Sequence, residues 1–162
     1  MKIKQFTPTF GEFLNEGKKK KKHILTHRRS KEERSEKLKA TINKKIQKYI
    51  KNGCKGHLNL HQMPITELPD NLYVGGDLDL TDTQIVKLPN KLRVRGSLYL
   101  RFLKITELPD DLEVGGDLDL LGTQITKLPN RLKVGGMLRL LDTQITKLPD
   151  DLEVKGNIYK RF

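Results

Sequence analysis

The sequence has a single cysteine, no tryptophan, and only four Tyr and five Phe among its 162 residues. A lone thiol excludes a disulfide framework and fits a reducing compartment. No apolar run approaches the roughly 20 residues of a membrane-spanning helix. Residues 1–30 also lack the apolar centre of a signal peptide, so secretion by that route is not expected. There is no Gly-x-Ser-x-Gly, no Walker loop and no His-Glu-x-x-His, the patterns that mark acyl transfer, phosphate binding and zinc hydrolysis. The chain therefore reads as non-enzymatic, with no cofactor expected.

Acidic residues are scarce only at one end. Residues 1–56 hold 18 Lys/Arg against 5 Asp/Glu, a net of +13, whereas residues 57–162 hold 14 against 15, a net of −1. The two sum to the +12 of the whole chain. Any polyanion should meet the amino-terminal third, and the remainder is electrostatically ordinary.

That remainder is a repeat. From Leu68 the rows read LPDNLYVGGDLDLTDTQIVK, LPNKLRVRGSLYLRFLKITE, LPDDLEVGGDLDLLGTQITK, LPNRLKVGGMLRLLDTQITK and a shortened LPDDLEVKGNIYKRF. Residues 56–67 fit the second half of the same row, with Cys54 in the Val column, so repetition covers residues 53–162. Leu118 and Leu120 alternate as in a short strand. Leu108-Pro109 then excludes a helix interior or central strand and sends the chain along an extended return path. One row cannot hide its own apolar set (Leu108, Leu112, Val114, Leu118, Leu120, Ile125), but stacked rows bury it against copies above and below.

Leu118-x-Leu120-x-x-Thr123-x-Ile125-x-x-Leu128-Pro129 resembles the leucine-rich repeat in its short form of about 20 residues. That form is known from bacterial effectors and tailed-phage proteins, and the Val-Gly-Gly and Thr-Gln-Ile variant is most similar to the phage type. The resemblance implies a leucine-rich-repeat β-solenoid of six stacked coils, with short parallel strands and extended return paths. A parallel β-helix is the competing fold. The family's Asn column holds Thr83, Thr123 and Thr143 here, but Met63 and Leu103 in two rows. The turn at Leu103 is therefore expected to differ.

The outward strand columns vary from row to row and are the candidate protein-binding face. One reads Asn59, Asp79, Tyr99, Asp119, Arg139, Tyr159; its neighbours read His57, Asp77, Ser97, Asp117, Met137, Asn157 and His61, Thr81, Arg101, Leu121, Leu141, Arg161. Tyr99, Asp119, Arg139, Tyr159 and Arg101 supply polar anchors, and Leu121 with Leu141 an apolar step. Paired carboxylates two coils apart are about 10 Å from each other, too far to share a proton or cation. Cys54, His57 and His61 form a zinc-like string, but the repeat accounts for each of them, and no metal site is expected.

The amino-terminal third reads as residues 1–17, a short amphipathic segment, then 18–29, a basic linker, then 30–52, a helix capping the solenoid of residues 53–162. Ser30 and Glu33 make a capping box, and Leu38, Ile42, Ile46 and Ile50 recur every fourth residue before Gly53. Leu14, Glu16 and Gly17 resemble the processing site of the head-targeting segments of some large tailed phages, which would make residues 1–17 a propeptide. Lys18, Lys19, Lys20, Lys21 and Lys22, with Arg28 and Arg29, are candidates for nonspecific DNA or RNA contact within a basic stretch of residues 18–51. Mutual repulsion should leave that run disordered when free. The expected setting is a bacterial host's cytoplasm or a phage virion, with an unidentified protein as partner and no membrane.

Overall fold

The apolar columns set the geometry of each coil. A computed structural model describes the backbone of residues 10–161 and the side-chain surroundings of residues 31–161. It contains one helix, α1 (Phe10–Lys51), and the two-residue strands β1 (Leu58–Asn59), β2 (Tyr73–Val74), β3 (Leu78–Asp79), β4 (Arg93–Val94), β5 (Leu98–Tyr99), β6 (Glu113–Val114), β7 (Leu118–Asp119), β8 (Lys133–Val134), β9 (Leu138–Arg139), β10 (Glu153–Val154) and β11 (Ile158–Tyr159). The chain divides into two compact units, Met1–Thr41 and Ile42–Phe162.

The second unit is a parallel-strand β-solenoid. Odd-numbered strands form one six-stranded sheet, β1-β3-β5-β7-β9-β11, and even-numbered strands form a five-stranded sheet, β10-β8-β6-β4-β2. Leu78 pairs with Leu98 and Val94 with Val114, a register of one whole row. Six strands in the first sheet enclose about five complete turns. The second sheet was not expected: besides the short strand read at Leu118 and Leu120, each coil carries another at Glu113–Val114, separated from it by the bend at residues 115–117. Only the part of the coil from the Thr column to the Leu-Pro pair is the irregular return path.

Glycine produces the bend. A Cβ on Gly116 would lie 2.7 Å from Gly96 C and 2.8 Å from Ser97 N, and the Gly116 N–H donates to Gly96 O at 2.8 Å. Successive coils thus touch backbone to backbone at this corner, where no side chain fits. Inside, Leu80, Leu100, Leu120 and Leu140 stack beside Ile85, Ile105, Ile125 and Ile145, all buried in one continuous cluster. Burial against neighbouring rows is the main stabilising term, as in other solenoids.

The turn at Leu103 is the same as its neighbours, against expectation. The N–H groups of Met63, Thr83, Leu103, Thr123 and Thr143 each donate to the carbonyl three residues back, at 3.0–3.4 Å. The preceding residue, whether Gln62, Asp82, Phe102, Gly122 or Asp142, has positive φ in every coil. The backbone closes this turn, and the side chain only supplements it. Thr123 and Thr143 hydroxyls donate to Leu120 O and Leu140 O at 2.8 Å. The buried Leu103 uses the same space for apolar contact.

The first coil is closed by the end of α1, within the second unit. Ile42 and Ile46 are buried, Tyr49 packs against the core, and Leu38 and Ile50 are exposed. Positions four apart drift by about 40° per step on a helix, so only the middle of the apolar stripe faces the coil. The helix stops in a Schellman motif: Gly53, at φ 75°, donates to Ile50 O at 3.0 Å, and Cys54 donates to Tyr49 O at 3.1 Å. Lys45 Nζ donates to Asn59 O at 2.6 Å, occupying a carbonyl on β1.

At its other end α1 begins at Phe10, so Ser30 lies inside the helix and not at its start, and residues 18–29 are helical and not a linker. Lys and Arg are good helix formers, and residues 18–51 contain neither Gly nor Pro.

Candidate binding face

Sheet one places its outward residues in three columns, and the three serve different purposes. The first is a hydrogen-bond ladder. His57 Nδ1 accepts the Asp77 N–H at 3.0 Å, and Asp77 Oδ1 accepts the Ser97 N–H at 2.7 Å. Ser97 Oγ accepts the Asp117 N–H at 3.1 Å, and Asp117 Oδ1 accepts the Met137 N–H at 2.7 Å. Each side chain satisfies the backbone of the next coil beside the bend. His57 Nδ1 also lies 3.1 Å from Asp77 Oδ2. The variation that suggested a ligand face is here an exchange among acceptors.

The central column ends its strands. Asn59, Asp79 and Asp119 each accept, through Oδ1, the N–H two residues on, at 3.0, 2.9 and 3.1 Å. Such Asx turns explain why short polar side chains recur there. Asp119 does more. It is 1% exposed, and its Oδ2 receives Arg101 Nε and Nη2 at 2.7 Å each and Arg139 Nη1 at 3.2 Å. The Arg101 guanidinium also sits 5.7 Å from the centre of the Tyr99 ring, within the range of cation–π attraction. Tyr99, Arg101, Asp119 and Arg139 are therefore one cluster across coils, with Asp119 buried beneath it.

The third column carries the apolar step. Leu121 and Leu141 are half-buried, and they stand on adjacent coils about 4.8 Å apart. Tyr159, on the edge strand β11, is exposed.

Cys54 has φ 55° and a half-buried side chain, so it is part of the helix stop and not a strand residue. Among the described residues no group of three His, Cys, Asp or Glu could hold a metal ion. Tyr49 joins the first two coils: its hydroxyl reaches Cys54 O at 2.8 Å and Gly56 O at 2.9 Å, and accepts the Gly75 N–H at 3.2 Å. Burial pushes the phenol above its ordinary range, partly offset by the Gly75 N–H. The side chains of Leu14, Glu16, Gly17, Lys18–Lys22, Arg28 and Arg29 lie outside the described residues, as does the segment 1–9.

A second charged surface went unread in the sequence. On sheet two the exposed residues Tyr73, Arg93, Glu113, Lys133 and Glu153 stack one per coil. Arg93 pairs with Glu113 at 3.1 Å and Lys133 with Glu153 at 3.0 Å. The alternation of sign in the residue before each Val was the available signal. Exposed pairs of this kind contribute little to stability, but they keep like charges from stacking.

No protein-family model, curated protein or solved structure matches the chain. Among the described residues no helix is long and apolar enough to cross a membrane.

Proposed function

We propose that the protein is a non-enzymatic leucine-rich-repeat-type module that binds a protein partner through the outer face of sheet one. The observation that supports this most is the Tyr99–Arg101–Asp119–Arg139 cluster. The His57–Asp77–Ser97–Asp117 column satisfies backbone groups of the adjacent coil, whereas this cluster presents two half-exposed guanidiniums and an aromatic ring beside the Leu121–Leu141 step. Arg and Tyr next to apolar surface are the residue types that anchor protein interfaces. The face is open and strand-lined, without the enclosed pocket that small-molecule chemistry needs. The resemblance of the repeat to the phage and bacterial short form supports an origin of that kind, in a cytoplasm or virion.

The test is affinity capture with the full chain and with Tyr99→Ala plus Arg139→Ala, after thermal unfolding shows both to be folded. Partners bound through this face are lost from the double variant and kept by Arg93→Ala plus Lys133→Ala on sheet two. Equal loss from both variants would overturn the reading.

A second reading rests on charge. Helix α1 carries 15 Lys/Arg against 5 Glu, along about 63 Å at 1.5 Å per residue. A virion protein travelling with nucleic acid would use it for salt-sensitive, sequence-independent contact. Replacing Lys18–Lys22 by Ala should then weaken binding to any DNA fragment and flatten its salt slope. Particle-derived protein beginning at Gly17 would add support, and intact Met1 in virions would count against head packaging.

A further inference from the structure

Asp119 is an unusual residue for the outside of a solenoid sheet. Asp79 occupies the same column two coils earlier and is only half-buried. Asp119 is closed off because Arg101 and Arg139 fold over it from the coils on either side. Burying a carboxylate costs several kcal/mol unless its acceptors are filled, and here they are: Oδ1 by the Leu121 N–H and Oδ2 by the Arg101 Nε–H and an Arg139 Nη1–H, with Arg101 Nη2 in ion-pair contact beside them.

One carboxylate balances one guanidinium, so the cluster keeps a surplus positive charge on side chains that are 36% and 38% exposed. Among the described residues, the contacts of these guanidiniums with carboxylates use Nε and Nη2 of Arg101 and Nη1 of Arg139. The remaining donors are held in place by Asp119 and, for Arg101, by the Tyr99 ring. A fixed guanidinium loses little side-chain entropy when it captures a second carboxylate, and it can do so bidentately. Leu121 and Leu141 lie alongside, and exposed Arg161 continues the third column at the last coil.

We propose that this border of sheet one recognises an acidic segment of the partner protein, a short run in which carboxylates flank an apolar side chain. The proposal rests on the strand-face reading above and adds the partner's chemistry. One carboxylate meets the free donors of Arg101 and Arg139, the apolar side chain covers Leu121 and Leu141, and a second carboxylate reaches Arg161. From coil three to coil six is about 14 Å at 4.8 Å per coil, the length of roughly four extended residues at about 3.4 Å each. Asp119 acts as a positioning residue: it aims the guanidiniums and does not itself touch the ligand.

The probe is a fluorescein-labelled Glu-Leu-Glu-Leu-Glu peptide, with a Gln-Leu-Gln-Leu-Gln peptide and a dT20 oligonucleotide as controls, read by anisotropy with the full-length chain. Expected is binding of the Glu peptide that falls about tenfold in Arg139→Gln, recovers partly in Arg139→Lys, and is unchanged when Lys18–Lys22 are replaced by Gln. Such a fall corresponds to about 1.4 kcal/mol. Thermal unfolding checks that Arg139→Gln remains folded, and Leu141→Ser, which leaves the charges alone, should also weaken the Glu peptide. The proposal is overturned if Arg139→Gln binds as well as wild type, if the Gln peptide binds equally, or if dT20 takes over the Arg139-dependent binding. A captured partner that depends on Tyr99 and Leu141 but ignores Arg139 would sink this proposal and leave the strand-face reading standing.

Discussion

The Asp77 carboxylate accepts the Ser97 backbone N–H at 2.7 Å, across the boundary between two coils. That bond makes Asp77 part of the solenoid's framework. Asp77→Ala should destabilise the fold by about 1–2 kcal/mol, the loss of a charged acceptor from a partly buried N–H. Asp77→Asn, whose amide oxygen can take the same bond, should recover most of that. Urea unfolding of the two variants decides it; equal stability of Asp77→Ala and wild type would show that the ladder carries no weight.

The comparison of sequence with fold turns on the same column. The row length, the buried Leu, Ile and Val positions and the solenoid itself were legible because periodic apolar residues have one economical way to be buried. The ladder was not, because Asp, Ser and His share acceptor chemistry without sharing size or charge, so their interchange resembles an unconstrained surface. The second sheet was hidden because the two residues Glu113–Val114 before the glycines carry no alternating apolar pattern of their own, and Gly115 and Gly116 form a corner between two strands. At the candidate site, the Tyr99, Arg101, Asp119 and Arg139 set was legible by residue type. The burial of Asp119 was not, because it needs Arg residues from two different coils to close over it.

At the corner, Gly116 meets Gly96 with no room for a side chain. Gly116→Ala should cost about 1–3 kcal/mol by overpacking against backbone. Thermal unfolding should show it as a lower midpoint, and an unchanged midpoint would mean that the coils can separate freely at this point.

Phe102 holds φ at 60° with its side chain 57% exposed, and its ring lies where a Cβ on Gly122 would sit, 2.7 Å from the nearest ring atom. Both residues occupy the left-handed turn position of adjacent coils. Phe102→Asn, better suited to positive φ, should leave stability unchanged or raise it by up to about 1 kcal/mol, despite the loss of an aromatic ring. Gly122→Ala should lower it, because the new methyl group meets both the strain and the ring. Denaturant midpoints of the pair test the assignment, and a marked loss in Phe102→Asn would contradict it.

Tyr49 supplies a pH dependence. Burial raises its pKa in the folded chain, so the unfolded chain releases the proton first as pH rises. The corresponding stability is fully present below the unfolded phenol value of about 10 and is lost as pH rises from there through the folded value. Tyr49→Phe should cost about 1 kcal/mol at neutral pH through its lost hydrogen bonds, while showing a shallower decline above pH 10 than wild type. Parallel alkaline declines in the two proteins would rule out this contribution.

Ile46 and Leu38 look equivalent in the sequence, both on the same four-residue repeat, but Ile46 is 4% exposed and Leu38 is 45% exposed. Ile46 covers the end of the first coil, where β1 has no strand on its other side. Ile46→Ala should therefore cost about 2–4 kcal/mol, the range for a buried aliphatic truncation, and it should loosen the first coil before the rest. Leu38→Ala should change stability by less than about 0.5 kcal/mol. Hydrogen exchange locates the effect: faster exchange at Leu58 and Leu60 in Ile46→Ala, with little change at Leu118 and Leu120, is the expected pattern for a nearest-neighbour stack. Uniform acceleration along the whole solenoid would instead mean that the coils unfold as one unit and that the helix end is not a local cap.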